Sequence, residues 1–460
     1  MAHARLRPFV TVLAAAAVLV AAGCDKVETR PSPADTYVDV DTPTTAYGTS
    51  TQLFVDASPQ RETFLQFDLS DVANTVVEAK LRIHVADTSN AGSPDGGQVA
   101  GVTTAPWSES TLTYENRPTT WGPTVADIGA VTANTWVEIS VTPAVAPGGI
   151  VTLGIRSANT DGATYDSRES GANAPQLILT TGPARDAVVG TTIATVGDLA
   201  CAPGGTVSAT TCRQQQVSDD LVADTEVTQL LTLGDLQYEV GALSAFQTAY
   251  EVSYGRLKSI TKPVAGNHEY GTTGAAGYYS YFGAAAGDPT QGYYSYDIGT
   301  SWHVVVLNSN CTIVSCAAGS AQEQWLRADL AASSRPCVMA AWHHPRFTSS
   351  LTHSNDPAVA PFWNALQEYG ADIVLSGHVH NYERFAPQLP SGAADPLGIR
   401  QFIVGTGGKS QYGFAAAQPN SLVRFRSFGY LKMVLGDPHY SWQFIDEAGN
   451  VLDSGSSTCH

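Results

Sequence analysis

The chain has 460 residues, 43% hydrophobic and 14% charged, with 42 glycines and 25 prolines. That length exceeds one ordinary core and points to two domains, while the apolar content excludes disorder as the main theme. Against 42 acidic residues stand 24 basic ones, a net charge of −18, which excludes a sequence-independent grip on nucleic acid and leaves anionic substrates open only where a local cation attracts them. The low charged fraction, with much Gly, Thr and Ser, leans towards an extracellular β-rich protein.

Residues 1–8 carry Arg5 and Arg7, and residues 9–22 form an uncharged, mostly apolar run. This is the charged start and apolar middle of a secretory signal, too short for a comfortable membrane span. The run ends Val20-Ala21-Ala22-Gly23-Cys24, which resembles a bacterial lipoprotein cleavage box, although Ala21 stands where such boxes usually carry a larger aliphatic. The expectation is a lipoprotein-type signal peptide over 1–23 and a lipid on Cys24. The chain would then sit outside the cytoplasm, tied to a bacterial membrane by its lipid alone, with plain secretion as the alternative.

The other cysteines are Cys201, Cys212, Cys311, Cys316, Cys337 and Cys459. An even number in an exported chain reads as disulfides, and their spacings do not suit a zinc ribbon. Many pairings are open. The economical one staples two local loops, Cys201–Cys212 and Cys311–Cys316, and ties down the C-terminus through Cys337–Cys459.

Residues 24–33 read as a linker. From 34 to 182, short strand-like runs recur between turns, at 36–40, 52–55, 63–69, 79–85, 135–141, 151–155 and 176–180. Alternation such as Leu81, Ile83 and Val85 marks half-buried strands, and no stretch holds a useful helical period. Many short strands punctuated by Gly, Pro, Asn and Asp predict a sandwich or jelly roll. The phrases Ala34-Asp35-Thr36-Tyr37-Val38, Phe64-Leu65-Gln66-Phe67-Asp68-Leu69, Trp107-Ser108-Glu109 and Ser167-Arg168-Glu169, in this order, resemble the DNRLRE-type domain, also grouped as carbohydrate-binding module family 96. The resemblance implies an all-β jelly-roll sandwich that binds an anionic polysaccharide or cell-surface glycan. On the residues alone, Trp107, Tyr114 and Arg168 read as core and corner residues of a spacer domain, since nothing marks an exposed aromatic platform.

Across 184–460 the pattern changes to strands followed by polar loops and amphipathic helices. Five strand-like segments end in turn at Gly197-Asp198, at Gly234-Asp235-Leu236-Gln237-Tyr238, at Gly266-Asn267-His268-Glu269, at His343-His344 and at Gly377-His378-Val379-His380. Helices are expected over 321–332 and 359–369, their apolar stripes serving as core. In layered α/β folds, ligands bind at the carboxyl ends of strands, which is where these Asp, Asn and His residues fall.

The set resembles the calcineurin-like metallophosphoesterase superfamily over about 188–445, and within it the purple acid phosphatases. The resemblance implies an α/β metallophosphoesterase fold of two layered sheets flanked by helices, with two metal ions. One would be held by Asp198, Asp235, Tyr238 and His380, the other by Asp235, Asn267, His343 and His378, with Asp235 bridging. Two cations roughly 3.5–4 Å apart lower the pKa of a bound water and clamp the oxygens of a phosphate ester. Carboxylate, amide oxygen and imidazole suit Fe, Zn or Mn. The wider superfamily has Asp-x-His at the first motif, whereas this chain reads Asp198-Leu199-Ala200. Tyr238 replaces the missing imidazole with a phenolate, which favours Fe(III) with a divalent Fe, Zn or Mn partner. His268 is carried over as the group beside the departing alkoxide, and His344 and His353 as substrate contacts. Gly405-Thr406-Gly407-Gly408-Lys409-Ser410 is not a nucleotide loop, because Ile403 stands where the first Gly is required, and reads as a tight turn near the site. The expected activity is hydrolysis of phosphate monoesters. The alternatives are a phosphodiesterase of the same superfamily, or a surface glycan-binding protein with a vestigial phosphatase half.

Overall fold

A computed structural model describes residues 25–103, 107–182 and 188–460. The leader over 1–23 and Cys24 lie outside the described residues. In the N-terminal half, Lys26–Pro31, Gln176–Gly182, Thr75–His84 and Trp136–Ser140 form a four-stranded antiparallel sheet. A seven-stranded sheet faces it, ordered Ala163–Asp166, Gln52–Ala57, Gln60–Asp68, Ile150–Arg156, Gln98–Thr103 and Thr120–Asp127, with Ala34–Asp39 also pairing Gln60–Asp68. Leu81 and Ile83 from one sheet and Leu65, Phe67, Leu153 and Ile155 from the other fill the common core.

The stretch read as a linker contains the edge strand Lys26–Pro31, whose residues pair with 176–181 although most of its side chains face solvent. The strands Gln98–Thr103, Thr120–Asp127 and Ala163–Asp166 were not legible, because glycines and a proline interrupt the first two and the last is only four residues long. Trp107 and Tyr114 pack, with Trp121, against a small satellite core of Val38, Phe64, Val102 and Leu112, and Arg168 pairs with Glu109 at a corner.

The second half has four layers. Thr261–Val264, Gln229–Leu233 and Thr191–Val196 run parallel, then Gly429–Leu435, His439–Asp446 and Val451–Thr458 continue the sheet antiparallel. In the other sheet Trp302–Val306, Cys337–Ala341, Ile373–Ser376 and Arg400–Val404 run parallel. Alternation with period two sorts their side chains: Ile193, Leu231, Leu233, Val304, Val306, Met339, Ala341, Ile373 and Leu375 meet between the sheets. Ala194, Val196 and Leu230 face a helical layer that includes Gln214–Ala223 and Ala276–Phe282, and Val305, Ala340 and Val374 face Ala321–Ala332 and Ala360–Glu368. Burial on both faces explains why these strands are continuous apolar runs. Ser320 caps the helix Ala321–Ala332 by accepting from the Glu323 N–H. Cysteines pair as the economical scheme expects, Cys201–Cys212, Cys311–Cys316 and Cys337–Cys459, the last tying the terminal segment to a central strand.

His303, buried in the strand Trp302–Val306, lies between Asp329 at 2.8 Å and Asp297 at 2.9 Å, with Arg335 on the far side of Asp297. The bond to Asp329, helped by that to Asp297, raises the imidazole above its usual value against the opposing effect of burial. A raised folded pKa stabilises fully below about 6.5 and fades as pH climbs through the folded value. His303→Gln is therefore expected to lower the melting temperature at pH 6 more than at pH 9. An equal loss at both pH values would contradict the charged pairing.

Candidate metal centre

Five of the parallel strands end in segments that deliver polar residues to one place. Asp198 follows Thr191–Val196, Asp235 follows Gln229–Leu233, and Asn267 follows Thr261–Val264, all from one sheet. The other sheet contributes His343 after Cys337–Ala341 and His378 after Ile373–Ser376, and His380 follows just before the strand Tyr382–Phe385. Asp198, Asp235 and His378 hold positive φ, at 62°, 51° and 69°. Non-glycine residues there are strained, and such strain persists only where surrounding structure over-determines it. Gly234, at φ +88°, leaves no room for a side chain, since a Cβ would stand 2.5 Å from His343 Nδ1.

Asp235 Oδ2 is the centre of the arrangement. Tyr238 Oη lies 3.1 Å from it, His343 Nε2 3.2 Å and His268 Nε2 3.8 Å. On one side, Tyr238 Oη is also 2.9 Å from Asp198 Oδ1 and 3.0 Å from His380 Nε2. On the other, His343 Nε2 is 3.1 Å from Asn267 Oδ1 and 3.3 Å from His378 Nδ1. All seven residues expected as ligands thus converge in two groups that share one carboxylate oxygen.

The donor chemistry fits cations. His343 Nδ1 donates to the Leu233 carbonyl at 2.7 Å, which turns Nε2 to Asp235, Asn267 and His378; against the effect of burial the Asp235 carboxylate raises this imidazole to about 9, so without metal Nε2 carries a proton that a bound cation would displace. His380 is oriented in the same way by Ser410 Oγ at 2.7 Å from Nδ1. Oxygen and nitrogen atoms facing one another at such distances need protons or cations among them; the Tyr238 hydroxyl and the His343 ring supply protons that metal ions would replace. Burial holds His378 well below the usual imidazole range and His344 at about 3, so both present neutral rings, the form that binds metal. Burial and the nearby carboxylates of Asp198 and Asp235 push the Tyr238 phenol well up.

The remaining expected residues are also here. His268 donates its backbone N–H to Asp235 Oδ1 at 2.8 Å, and its Nδ1 is turned to the Glu239 carbonyl. His344 is fixed through Nδ1 to Ser309 Oγ at 2.8 Å, and its ring lies 4.4 Å from that of His378. The His353 ring is 4.1 Å from His378, which brings this loop residue to the site from ten positions beyond His343.

Sequence reasoning missed several partners. Glu269, fully buried, accepts from four backbone N–H groups, those of Asp235, Leu236, Gln237 and Gly266 at 2.7–3.3 Å, and so locks two metal loops together. Its place beside Asn267-His268 was the available signal. Tyr412 stacks on His380 with ring centres 4.0 Å apart, and Lys409 lies over the Tyr238 ring while pairing with Glu239. Only the adjacent Gly-rich turn hinted at these. That turn does pack on the site, since a Cβ on Gly405 would stand 2.8 Å from Asp198 Oδ2.

Comparison with known proteins agrees with this architecture. Residues 26–181 match carbohydrate-binding module family 96, and residues 192–382 match the calcineurin-like phosphoesterase family. Purple acid phosphatase 22 of Arabidopsis thaliana is 34% identical over 173 residues, 35% of this chain and 38% of that protein. Acid phosphatase A of Cryphonectria parasitica is 31% identical over 150 residues, 29% of this chain and 30% of its own. The chain therefore spans about two-fifths of the Arabidopsis relative. A purple acid phosphatase from yellow lupin (Lupinus luteus) seeds superposes with a TM-score of 0.52 at 16% identity, covering 91% of this chain and 75% of that one, which shows a shared fold. Both sequence resemblances are borne out: a sandwich of the carbohydrate-binding family precedes a calcineurin-like phosphoesterase domain whose relatives are purple acid phosphatases. These relatives imply a dinuclear metal centre, and the two donor groups fit it.

Glu269→Ala leaves four buried N–H donors without an acceptor, and unfolding free energy is expected to fall by about 3 kcal/mol or more. Glu269→Gln, keeping one acceptor oxygen, is expected to lose less. Equal stability of all three proteins in urea unfolding would contradict the locking role.

Proposed function

We propose that the chain is an exported phosphatase hydrolysing phosphate monoesters at a dinuclear centre, with its sandwich holding it on a glycan. The observation that carries the reading is the pair of donor groups joined by Asp235 Oδ2. Asp198, Asp235, Tyr238 and His380 would hold one ion, and Asp235, Asn267, His343 and His378 the other. When bound, the pair supplies Lewis acidity, activating water as a nucleophile and neutralising the ester's charge. Phenolate is a hard oxygen ligand that suits a trivalent ion, which supports Fe(III) at the Tyr238 side, with divalent Fe, Zn or Mn opposite. A visible phenolate-to-iron absorption band, lost in Tyr238→Phe, tests the metal.

The chain's own residues supply the rest. His268 Nδ1 donates to the Glu239 carbonyl, which sets its Nε2 beside the bridging carboxylate, 3.8 Å from Asp235 Oδ2. From there it gives a hydrogen bond or proton to the leaving oxygen. Held through Nδ1 at 2.8 Å from Ser309 Oγ, His344 has its Nε2 free to meet a phosphate oxygen. His353, over the His378 ring, contacts the ester from the opposite loop.

Export rests on the charged and apolar leader, the lipid on the Cys24 box and the three disulfides. Among the described residues no helix is long and apolar enough to cross a membrane. A glycan as partner rests on the match of residues 26–181 to a carbohydrate-binding family. Retention of the chain on anionic polysaccharide resin, absent for a neutral one, tests that partner.

Nitrophenyl phosphate monoester is expected to be hydrolysed faster than its diester. Loss of a supporting group around a metal typically costs roughly 10–100-fold, so Asp235→Asn, which removes the bridge itself, is expected to cost more than about 100-fold. Faster diester turnover would make the protein a phosphodiesterase. No turnover after reconstitution with Fe, Zn and Mn would contradict the enzyme and favour a glycan-binding protein.

A further inference from the structure

The sandwich meets the phosphoesterase half along several elements, Trp136–Ser140 against Ser421–Phe425 and Thr142–Ala144 against Val451–Thr458 among them, and the contact that reaches towards the metal centre is the turn after the strand Thr120–Asp127. Asp127 is buried and divides its two oxygens between the domains: Oδ1 accepts from Gly129 N–H at 3.1 Å, and Oδ2 from Arg426 Nε at 3.1 Å. Beside it, the fully buried Arg424 donates through Nη2 to the Ile128 carbonyl at 3.2 Å. Gly129 is pressed against the backbone of the other domain, since a Cβ there would stand 2.6 Å from the Ala415 carbonyl oxygen and 3.1 Å from Phe414 Cβ.

The segment it presses is the rim of the metal centre. Tyr412, two residues before Phe414, donates its N–H to the His380 carbonyl at 2.8 Å and stacks its ring on His380. The same segment is stitched to the loop that bears His353: Ala415 N–H donates to Ser349 O at 2.8 Å, and Leu351 N–H to Gly413 O at 3.0 Å. Gln418 N–H donates to Ser349 Oγ at 2.9 Å. Beneath this stitch lies the fully buried Glu383, which accepts from Ser349 N at 2.8 Å, Ser349 Oγ at 2.5 Å and Ser421 Oγ at 2.6 Å. Arg424 is its nearby counter-charge, and Arg424 Nη1 also donates to Ser421 Oγ at 3.0 Å.

Two routes thus lead from the 127–129 turn to the segments that carry Tyr412 and His353: directly, from Gly129 to Phe414 and Ala415, and through Arg424, Ser421 and Glu383 to Ser349, while the Asp127–Arg426 pair fixes the turn itself against the other domain. We infer that the sandwich is a positioning domain for the phosphate-ester site, its 127–129 turn setting the rim that receives substrate, with Arg426 and Asp127 as positioning residues. Asp198, Asp235, Asn267 and His343 are held by Glu269 and the strand ends, away from this clamp, while His378 and His380 lie under His353 and Tyr412. Loosening it therefore weakens substrate engagement while leaving the chemical step close to intact. The kinetic half of this inference rests on the proposed phosphatase activity; the structural half does not.

The test uses the full chain with Arg426→Gln, and with Arg426→Lys as the conservative control. Asp127→Asn provides a second route, because the amide oxygen still accepts from Gly129 N–H while the charge is gone. In metal-free protein, hydrogen–deuterium exchange is expected to quicken in 348–353 and 411–418 and to stay unchanged in Gln229–Leu233. With metals restored, KM for nitrophenyl phosphate is expected to rise about threefold or more with kcat within about twofold, and the lysine variant to recover most of the difference. Unchanged exchange in both rim segments, or a fall in kcat at constant KM, would overturn the inference. Wild-type protein that hydrolyses no phosphate ester would overturn the proposed function instead, and the exchange arm would still decide this one.

Discussion

The structure depends on one electrostatic demand: the polar atoms of six other side chains must be held face to face around the Asp235 carboxylate. In a buried, low-dielectric pocket such an arrangement is unfavourable by itself and acquires its purpose from cations. The fold answers with hydrogen bonds to the far side of each group. Leu233 O orients His343, Ser410 orients His380, and the N–H groups of His378 and His268 hold one oxygen each of Asp198 and Asp235. Glu269 gathers the N–H groups of the two loops that carry Asp235 and Asn267.

Two sheets are needed for this geometry. One supplies Asp198, Asp235 and Asn267, the other His343 and His378, and the apolar layer between them fixes their separation. Left-handed backbone at Asp198, Asp235 and His378 turns side chains inward at the strand ends, a strain that the packed core can bear. The rim above the ligands has fewer such anchors. It is assembled from loops 348–353 and 411–418, which lean on Glu383 and on the neighbouring sandwich.

What the sequence made legible follows from this division. The strand-end motifs could be read because each polar residue follows an apolar run buried on both faces, and five in order leave little else to explain. Substitution of Tyr238 for the missing histidine after Asp198 was readable for the same reason, and the two side chains do meet, through Asp198 Oδ1. Tyr412, Ser410 and Ser309 were not, because their roles come from loops that only tertiary packing brings to the metals. In the sandwich, long alternating strands such as Thr75–His84 were clear, whereas the edge strand Lys26–Pro31 was hidden: it gains its place from pairing with 176–181 and not from burial of its own side chains.

Metal content of the purified chain, measured by elemental analysis beside Asp235→Asn, tests the bridging carboxylate most directly. The account predicts about two metal ions per chain in the wild type and less than about one in the variant, since one oxygen serves both donor groups. A single ion per chain in the wild type, or two ions retained without the Asp235 carboxylate, would contradict it.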